Sequence, residues 1–333
     1  MNGYKILKDE FGELKIQILD NDQKRITIKP SHGVFCPDTE IVTKYPMDLI
    51  EKIFDYKSSC WVIDEIKRDE SPNYVFRALK YGLFSFIKEI NFENKVLLDF
   101  GCGSGASSVI LGRKIKNLEI IGIELNKKLL EIAEMRKKYY SLNENVSFIA
   151  SEDPESLPIN NPVDFILLSA VYEHLLPNER KKILKMCWQL LKKDGVIFIN
   201  QTPNRWVVYE NHTTNLFLIN YLPDKICYWV SKNFSKRNLK KFSWNQLLRM
   251  GIRGATENEI TNIIAKLKTH GKLEVLKPNN LDTKNKLDLW YRSTSTFSMK
   301  SKLLKTFIWY LMKCFPFLER ILLPGIVMAI SKR

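Results

Sequence analysis

Between residues 96 and 204 the spacing of apolar positions switches repeatedly between two periods, short continuous apolar runs and three-to-four-residue helical spacing. The runs Val96–Phe100, Glu119–Glu124, Val146–Ala150, Val163–Ser169 and Gly195–Gln201 predict strands. The stretches Ala106–Lys116, Lys127–Tyr140 and Pro177–Leu191 predict the helices between them. Strands that alternate with helices in this way specify a parallel sheet covered on both faces.

Around this core the pattern changes. Leu14–Leu19 and Arg25–Lys29 alternate about the polar Asp20–Gln23, which predicts a β-hairpin in an N-terminal element and linker over 1–45. From Pro46 to Ile90 the spacing is helical, through Leu49, Ile53, Phe54, Leu79, Leu83 and Ile87, and predicts a helical lid over 46–95. After Pro203 the rhythm stops for about fifty residues, giving a first insertion over 205–255. It resumes at Thr256-Glu-Asn-Glu259, a capping-box pattern that predicts a helix through Lys268, followed by a strand at Leu273–Leu276. The remainder, 256–333, holds an apolar helical insertion at about 297–323 and a final strand at about 326–330. The expected fold is α/β: a doubly wound, mostly parallel, seven-stranded sheet with an N-terminal hairpin, a helical lid and two insertions.

The chemistry concentrates at the ends of the predicted strands. VLLDFGCGSG at 96–105 joins a buried strand to a helix through Gly101, Gly103 and Gly105, with Asp99 before the turn. Glycines at these positions let the backbone turn tightly and approach a ligand closely at the carboxyl end of the strand. Glu124 ends the second strand about twenty residues on, where a carboxylate can accept from both hydroxyls of a ribose. FIASEDPESLP at 148–158 places Asp153 after the third strand.

These three segments resemble the class I, Rossmann-like S-adenosylmethionine-dependent methyltransferases. The resemblance implies S-adenosylmethionine as cofactor. Asp99 would lie near its methionyl ammonium, Gly101, Cys102, Gly103 and Gly105 along it, and Glu124 and Leu125 at the ribose. Asp153 would read the adenine amino group, and Ser169 would lie at the end of the fourth strand. A dinucleotide-dependent dehydrogenase satisfies the same Gly101-x-Gly103-x-x-Ala106 spacing and a ribose-binding Glu124. Against it stand Asp99, which would repel a pyrophosphate, and Asp153, which has no role there.

After the fourth strand the chain reads SAVYEHL at 169–175. It lacks the Asn/Asp-Pro-Pro-aromatic segment of enzymes that methylate base nitrogens. Its Glu173-His174 pair resembles the quinone-biosynthesis O-methyltransferases, some of which hold a metal in a carboxylate-rich cluster. Their upstream acidic residue would fall at Ala170, so no metal is expected. PNRWVVYENHTT at 203–214 is more loosely similar to methyltransferases of glycan and glycolipid assembly.

Glu173, His174, His212, Arg205 and Glu210 are the acceptor-side, catalytic candidates. His is the usual proton acceptor near neutral pH, and Arg205 suits a phosphate or carboxylate. Each has a structural alternative: His174 as support for the cofactor loop, His212 as a loop-ordering residue, Arg205 as an ion pair closing the insertion. His32 and His270 read as ordinary surface residues.

Composition adds a question about the partner. The chain has 52 Lys and Arg against 37 Asp and Glu, a formal charge of +15, which exceeds anything a cofactor requires. A lysine-rich solvated surface accounts for it, as does attraction to an anionic partner. YWVSKNFSKRNLKKF at 228–242 interleaves aromatics with cations, and the apolar stripe Phe307–Leu323 is bordered by Lys302, Lys305, Lys313 and Arg320. Apolar plus basic composition favours a membrane surface or a lipid-linked acceptor over nucleic acid, while packing of the stripe on the sheet would equally explain it.

The six cysteines form no C-x-x-C pair, and no signal pattern or spanning apolar run occurs, so a cytoplasmic chain is expected, peripheral at the inner membrane face if it meets lipid. The expected function is O-methylation of a small, glycan or lipid-linked acceptor. An RNA methyltransferase using the basic insertion and a non-catalytic cofactor-binding protein are the alternatives.

Overall fold

A computed structural model describes residues 4–153, 156–267, 271–293 and 299–333. His270, the Lys268 end of one expected helix and the 297–298 start of the second insertion lie outside the described residues. The chain opens with an antiparallel sheet of four strands, β1 (Tyr4–Asp9), β2 (Gly12–Ile18), β3 (Lys24–Pro30) and β4 (Glu40–Thr43), in that order. The expected hairpin is β2–β3. Its neighbours escaped sequence reading because both are largely exposed and so lack the alternation that marks a half-buried strand. The lid follows as α1 (Met47–Lys57), α2 (Val62–Glu70) and α3 (Val75–Phe84).

The core runs β5 (Val96–Phe100), α4 (Ala106–Lys114), β6 (Glu119–Glu124), α5 (Lys127–Tyr139), β7 (Val146–Ala150), β8 (Val163–Ser169), α6 (Pro177–Leu190) and β9 (Leu191–Pro203). The first insertion holds the two-residue pair β10 (Tyr209–Glu210) and β11 (Leu216–Phe217), then α7 (Asp224–Phe234) and α8 (Trp244–Arg249). The chain ends with α9 (Glu257–Ala265), β12 (Leu273–Val275), α10 (Lys286–Ser293), α11 (Met299–Cys314), α12 (Glu319–Leu322) and β13 (Gly325–Lys332).

The seven-stranded sheet has the order β12-β13-β9-β8-β5-β6-β7 and is parallel except for β13, which pairs antiparallel with both neighbours. The doubly wound, mostly parallel seven-stranded sheet expected from the sequence is therefore the fold. The first core strand, β5, is flanked by the second and the fourth, so winding reverses between β5 and β8. At such a switch point the connecting loops diverge and leave a crevice over the carboxyl ends of the strands.

Burial of continuous apolar strands fixes this arrangement. Leu97, Leu98, Ile166, Leu167, Ile197 and Phe198 are wholly buried and pack against helices on both faces. Thr256 caps α9 by accepting from the Glu259 backbone N–H at 3.0 Å. The Glu259 carboxylate takes Arg180 at 2.8 Å, on the neighbouring helix, so it ties α9 to α6.

The apolar stripe of the second insertion is only partly buried, with Met312 and Leu323 packed against Leu287 of α10. α11 lies against α10 and α12 and leaves Leu303, Leu304, Phe307 and Tyr310 exposed, with Phe315 and Phe317 exposed just beyond it. The first insertion forms its own small core of Ile219, Cys227, Leu239, Leu247 and Ile252. The buried Arg253 guanidinium closes it, donating to the Asn220 and Leu222 carbonyls at 3.1 and 2.8 Å and pairing with Asp224 at 2.6 Å.

Candidate functional site

Two adjoining cavities occupy the crevice at the switch point and share Gly101, Glu124 and Ala170. One, of about 430 Å³, is lined by Leu125, Ser151, Ser156, Val171, His174 and Arg249 among others. The other, of about 240 Å³, is lined by Asp99, Cys102, Gly103, Ser169, Gln201 and four lid residues, Lys57, Glu65, Arg68 and Val75, among others. Ala170 and Gln201, at the carboxyl ends of adjacent strands, hold φ of 54° and 57°, a left-handed conformation that costs a residue with a Cβ of order 1–3 kcal/mol and that clusters at ligand sites.

The glycine turn is held from both sides. Glu124 accepts from Gly103 N at 3.0 Å through one oxygen, and from Leu125 N and Asn126 N at 2.9 and 3.0 Å through the other. Gly105 has φ +80°, and a Cβ on it would lie 2.7 Å from that of Ala133, so only glycine fits there. Asp99 is buried beneath the turn and accepts from Ser108 Oγ at 2.7 Å. Burial pushes its carboxyl up to about 6, against the Ser108 bond and with help from nearby Glu124. Asp153 is exposed, and its carbonyl takes Ser151 Oγ at 2.8 Å. Asp153 does not line either cavity, whereas Ser151 and Ser156 on each side of it line the larger.

Sequence reasoning missed the lid's role. Arg136 on α5 is completely buried and donates to the Ser104 carbonyl and hydroxyl at 2.8 and 2.7 Å, to Glu65 Oε1 at 2.9 Å and to Tyr45 at 3.0 Å. Ser104 also bonds Glu65. Burial would raise the Glu65 carboxyl, but Arg136, Arg68 and Lys57 outweigh it and hold it at about 2. This network clamps α2 onto the glycine turn. One signal was visible: Leu130, Ala133 and Arg136 recur every three residues, which puts a cation on the apolar face of a helix.

Of the acceptor-side candidates, the fold brings Glu173, His174 and His212 together, with one ligand atom of each lying within 4.8 Å of the others. Glu173 is buried, its Oε2 accepts from Thr202 Oγ1 at 3.0 Å, and its Oε1 is 3.7 Å from His174 Nε2. Burial raises the Glu173 carboxyl, opposed by His174. His174 Nδ1 lies 2.7 Å from the Arg249 carbonyl oxygen, so that nitrogen carries the proton and donates it. His212 is held below its ordinary value by partial desolvation and by His174. The expectation of no metal rested on the lack of paired cysteines and on Ala170. His212, thirty-eight positions beyond His174 in sequence, was not counted with the pair, because only the fold supplies that proximity.

The other two candidates sit apart. Both Glu210 oxygens are occupied, by Thr213 N at 2.7 Å and by Thr214 N and Oγ1 at 2.6 Å, so Glu210 shapes the loop that carries His212. Arg205 packs over Trp206, its backbone N–H donates to Ala255 at 2.8 Å, and it does not line either crevice cavity. His32 is exposed. Among the described residues no helix is long and apolar enough to cross a membrane.

Comparison with known proteins points to the same half of the chain. The family described as methyltransferase domain matches residues 98–199. The chain is 32% identical over 139 residues to a demethylmenaquinone methyltransferase of Thermotoga maritima, covering 39% of this chain and 56% of that protein. It is 25% identical over 150 residues to a carboxy-S-adenosyl-L-methionine synthase of Erwinia tasmaniensis, covering 42% and 60%. The chain therefore spans little more than half the length of these curated relatives. Among solved structures it is similar to the plantazolicin methyltransferase BamL in complex with a desmethyl substrate analogue and S-adenosylhomocysteine, with a TM-score of 0.45, 16% identity, and coverage of 86% of this chain and 95% of that one.

Proposed function

We propose that this chain, which carries a class I S-adenosylmethionine-dependent methyltransferase domain over 98–199, transfers the cofactor's methyl group to an oxygen of a small, glycan or lipid-linked acceptor. The observation that carries this reading is the adjacency of two kinds of site. A glycine-lined crevice edged by Asp99 and Glu124 runs directly to the Glu173–His174–His212 cluster, because His174 lines the same cavity as Gly101 and Glu124.

In this reading S-adenosylmethionine lies along Gly101, Cys102, Gly103 and Gly105. Asp99 faces its ammonium, Glu124 and Leu125 its ribose, and Ser169 the reacting end, while Asp153 would have to turn inward from outside both cavities to reach its adenine. The ammonium would hold Asp99 ionised. Methyl transfer is an in-line displacement at an activated sulfonium, so the protein's contribution is to align the nucleophile and accept its proton. Glu173, His174 and His212 stand where that oxygen would approach, and Glu210 and Arg205 support the loop and insertion around them.

The lipid-linked form of the acceptor draws support from the surface. Leu303, Leu304 and Phe307 of α11 and Trp229 and Phe234 of the basic insertion are each at least 59% exposed, beside Lys232, Lys300 and Lys302. Exposed apolar side chains with flanking cations suit an anionic lipid interface better than a phosphate backbone alone.

The test is incubation with methyl-tritiated S-adenosylmethionine and separate lipid, polysaccharide and RNA extracts. Label in the lipid or polysaccharide fraction, carried as an O-methyl group by mass spectrometry, is expected. Label confined to RNA would overturn the acceptor class. Binding of NADH in place of S-adenosylhomocysteine would overturn the cofactor.

A further inference from the structure

We infer that Glu173, His174 and His212 form a binding site for one divalent first-row transition-metal ion of the zinc type, with an open coordination position toward the crevice. The inference rests on the reading above and specifies how its acceptor cluster works.

The donor set is two imidazoles and one carboxylate, the combination that catalytic zinc sites use with a fourth position left to water or substrate. Imidazoles select such metals over magnesium and calcium, which prefer oxygen. For metal–ligand bonds of about 2.1 Å in tetrahedral geometry, donor atoms stand roughly 3.4 Å apart. Glu173 Oε1 and His174 Nε2 are already 3.7 Å apart, and no donor pair exceeds 4.8 Å, so side-chain rotation alone can close the set.

Three further features prepare the site. Glu173 Oε1 is buried and has no hydrogen-bond partner among the described residues, although the other oxygen of the same carboxylate is satisfied by Thr202. A buried carboxylate oxygen left in this way carries a desolvation cost that a cation would remove. The Arg249 carbonyl fixes the Nδ1–H tautomer of His174 and leaves the Nε2 lone pair on the Glu173 side, the outer-shell contact that metal-bound histidines make to a backbone carbonyl. Gly251 has φ +87°, and a Cβ built on it would fall 2.8 Å from His212 Cε1 and 3.1 Å from Glu173 Cγ, so this position keeps the space in which the two side chains converge. Two of the neighbouring guanidiniums are paired with carboxylates, Arg249 with Glu179 and Arg180 with Glu259, while that of Arg237 donates to the His212 and Asn211 backbone carbonyls and to Asn215 Oδ1.

A metal here would take the acceptor's hydroxyl oxygen as its fourth ligand and lower the pKa of that hydroxyl. The proton leaves to solvent, the oxygen lone pair forms the C–O bond as the S–CH₃ bond breaks, and the sulfonium departs as neutral S-adenosylhomocysteine.

The test uses the full chain after chelator treatment, titrated calorimetrically with Zn²⁺ and by visible absorption with Co²⁺, together with Glu173→Gln, His174→Ala and His212→Ala. Titration with S-adenosylhomocysteine serves as the control for folding and for the cofactor site. The expected result is one ion per chain, tetrahedral cobalt absorption, and affinity lowered by roughly 100-fold in His212→Ala, whose exposed side chain can be removed without disturbing the core, while S-adenosylhomocysteine binding by that variant is unchanged. Absence of stoichiometric binding, or equal affinity in the wild type and all three variants, would overturn the metal site and leave the methyltransferase reading standing. Loss of S-adenosylhomocysteine binding in the wild type would instead strike that reading.

Discussion

Arg136→Met isolates what joins the lid to the glycine turn. The substitution keeps most of the volume but removes the cation 2.9 Å from Glu65 Oε1 and 3.4 Å from Asp69, leaving both carboxylates in the interior with Lys57 3.8 Å from the other Glu65 oxygen. Breaking a buried pair by removing one partner costs roughly 3–5 kcal/mol. Arg136 has the largest effect of the three cations that hold the Glu65 carboxyl low, ahead of Arg68 and Lys57, so its loss raises that carboxyl and removes most of the stabilisation it gives at neutral pH.

The sign sets the pH dependence. A carboxyl held low in the folded state stabilises fully above 4.5, and that stabilisation is lost as pH falls toward 2. The gap between wild type and variant should therefore be about 3–4 kcal/mol at pH 7 and narrow by about 1 kcal/mol at pH 4, measured by urea unfolding. Adding Glu65→Gln to Arg136→Met should recover part of the loss, because the uncompensated charge is then gone. A gap under 1 kcal/mol at pH 7, or no recovery in the double variant, would refute the argument that charge pairing in this interior holds the lid.

The remaining expectations concern the cofactor, the lid's acid stability and the exposed surface. Asp99→Asn and Glu124→Ala should each weaken S-adenosylhomocysteine binding by about 1.5–3 kcal/mol in calorimetry, through loss of a charged contact, and unchanged affinity in both would sink the proposed assignment. Glu70, whose carboxyl burial raises to about 7 against a 2.8 Å bond from Thr43, destabilises the fold as pH rises from 4.5 through 7. Glu70→Gln should therefore add about 1–2 kcal/mol at pH 8 and nothing at pH 4, and equal effects at both would discount ionisation as the cause. Leu304→Asp with Phe307→Asp should abolish co-sedimentation with anionic vesicles while leaving S-adenosylhomocysteine affinity intact; vesicle binding equal to wild type would remove the membrane from the proposal.

The parts of this molecule that could be read from the chain are those where one local rule determines the outcome. A buried parallel strand must be a continuous apolar run, and Leu97–Leu98, Ile166–Leu168 and Ile197–Ile199 are such runs, so the order and spacing of the core elements were legible. The glycines and the carboxylates at strand ends were legible for the same reason, since each serves the turn it stands in. What stayed hidden depends on pairs far apart in sequence. Glu65 and Arg136 meet across 71 positions, and neither residue alone differs from a surface charge until the helix faces that carry them are docked.

The Glu173–His174–His212 cluster shows the same division within one site. Glu173 and His174 are neighbours in a single turn and could be singled out directly. The third member arrives on a loop whose shape is set by Glu210 and whose position is set by the small core of the insertion, above all by Gly251 at the end of α8. Sequence reading valued Glu210 for its own chemistry and His212 as a separate candidate, within an insertion read as bordering the acceptor. In the fold, Glu210 and Gly251 serve to bring His212 against Glu173, so the insertion completes the candidate site as well as bordering it, and its stability and the site's geometry must vary together.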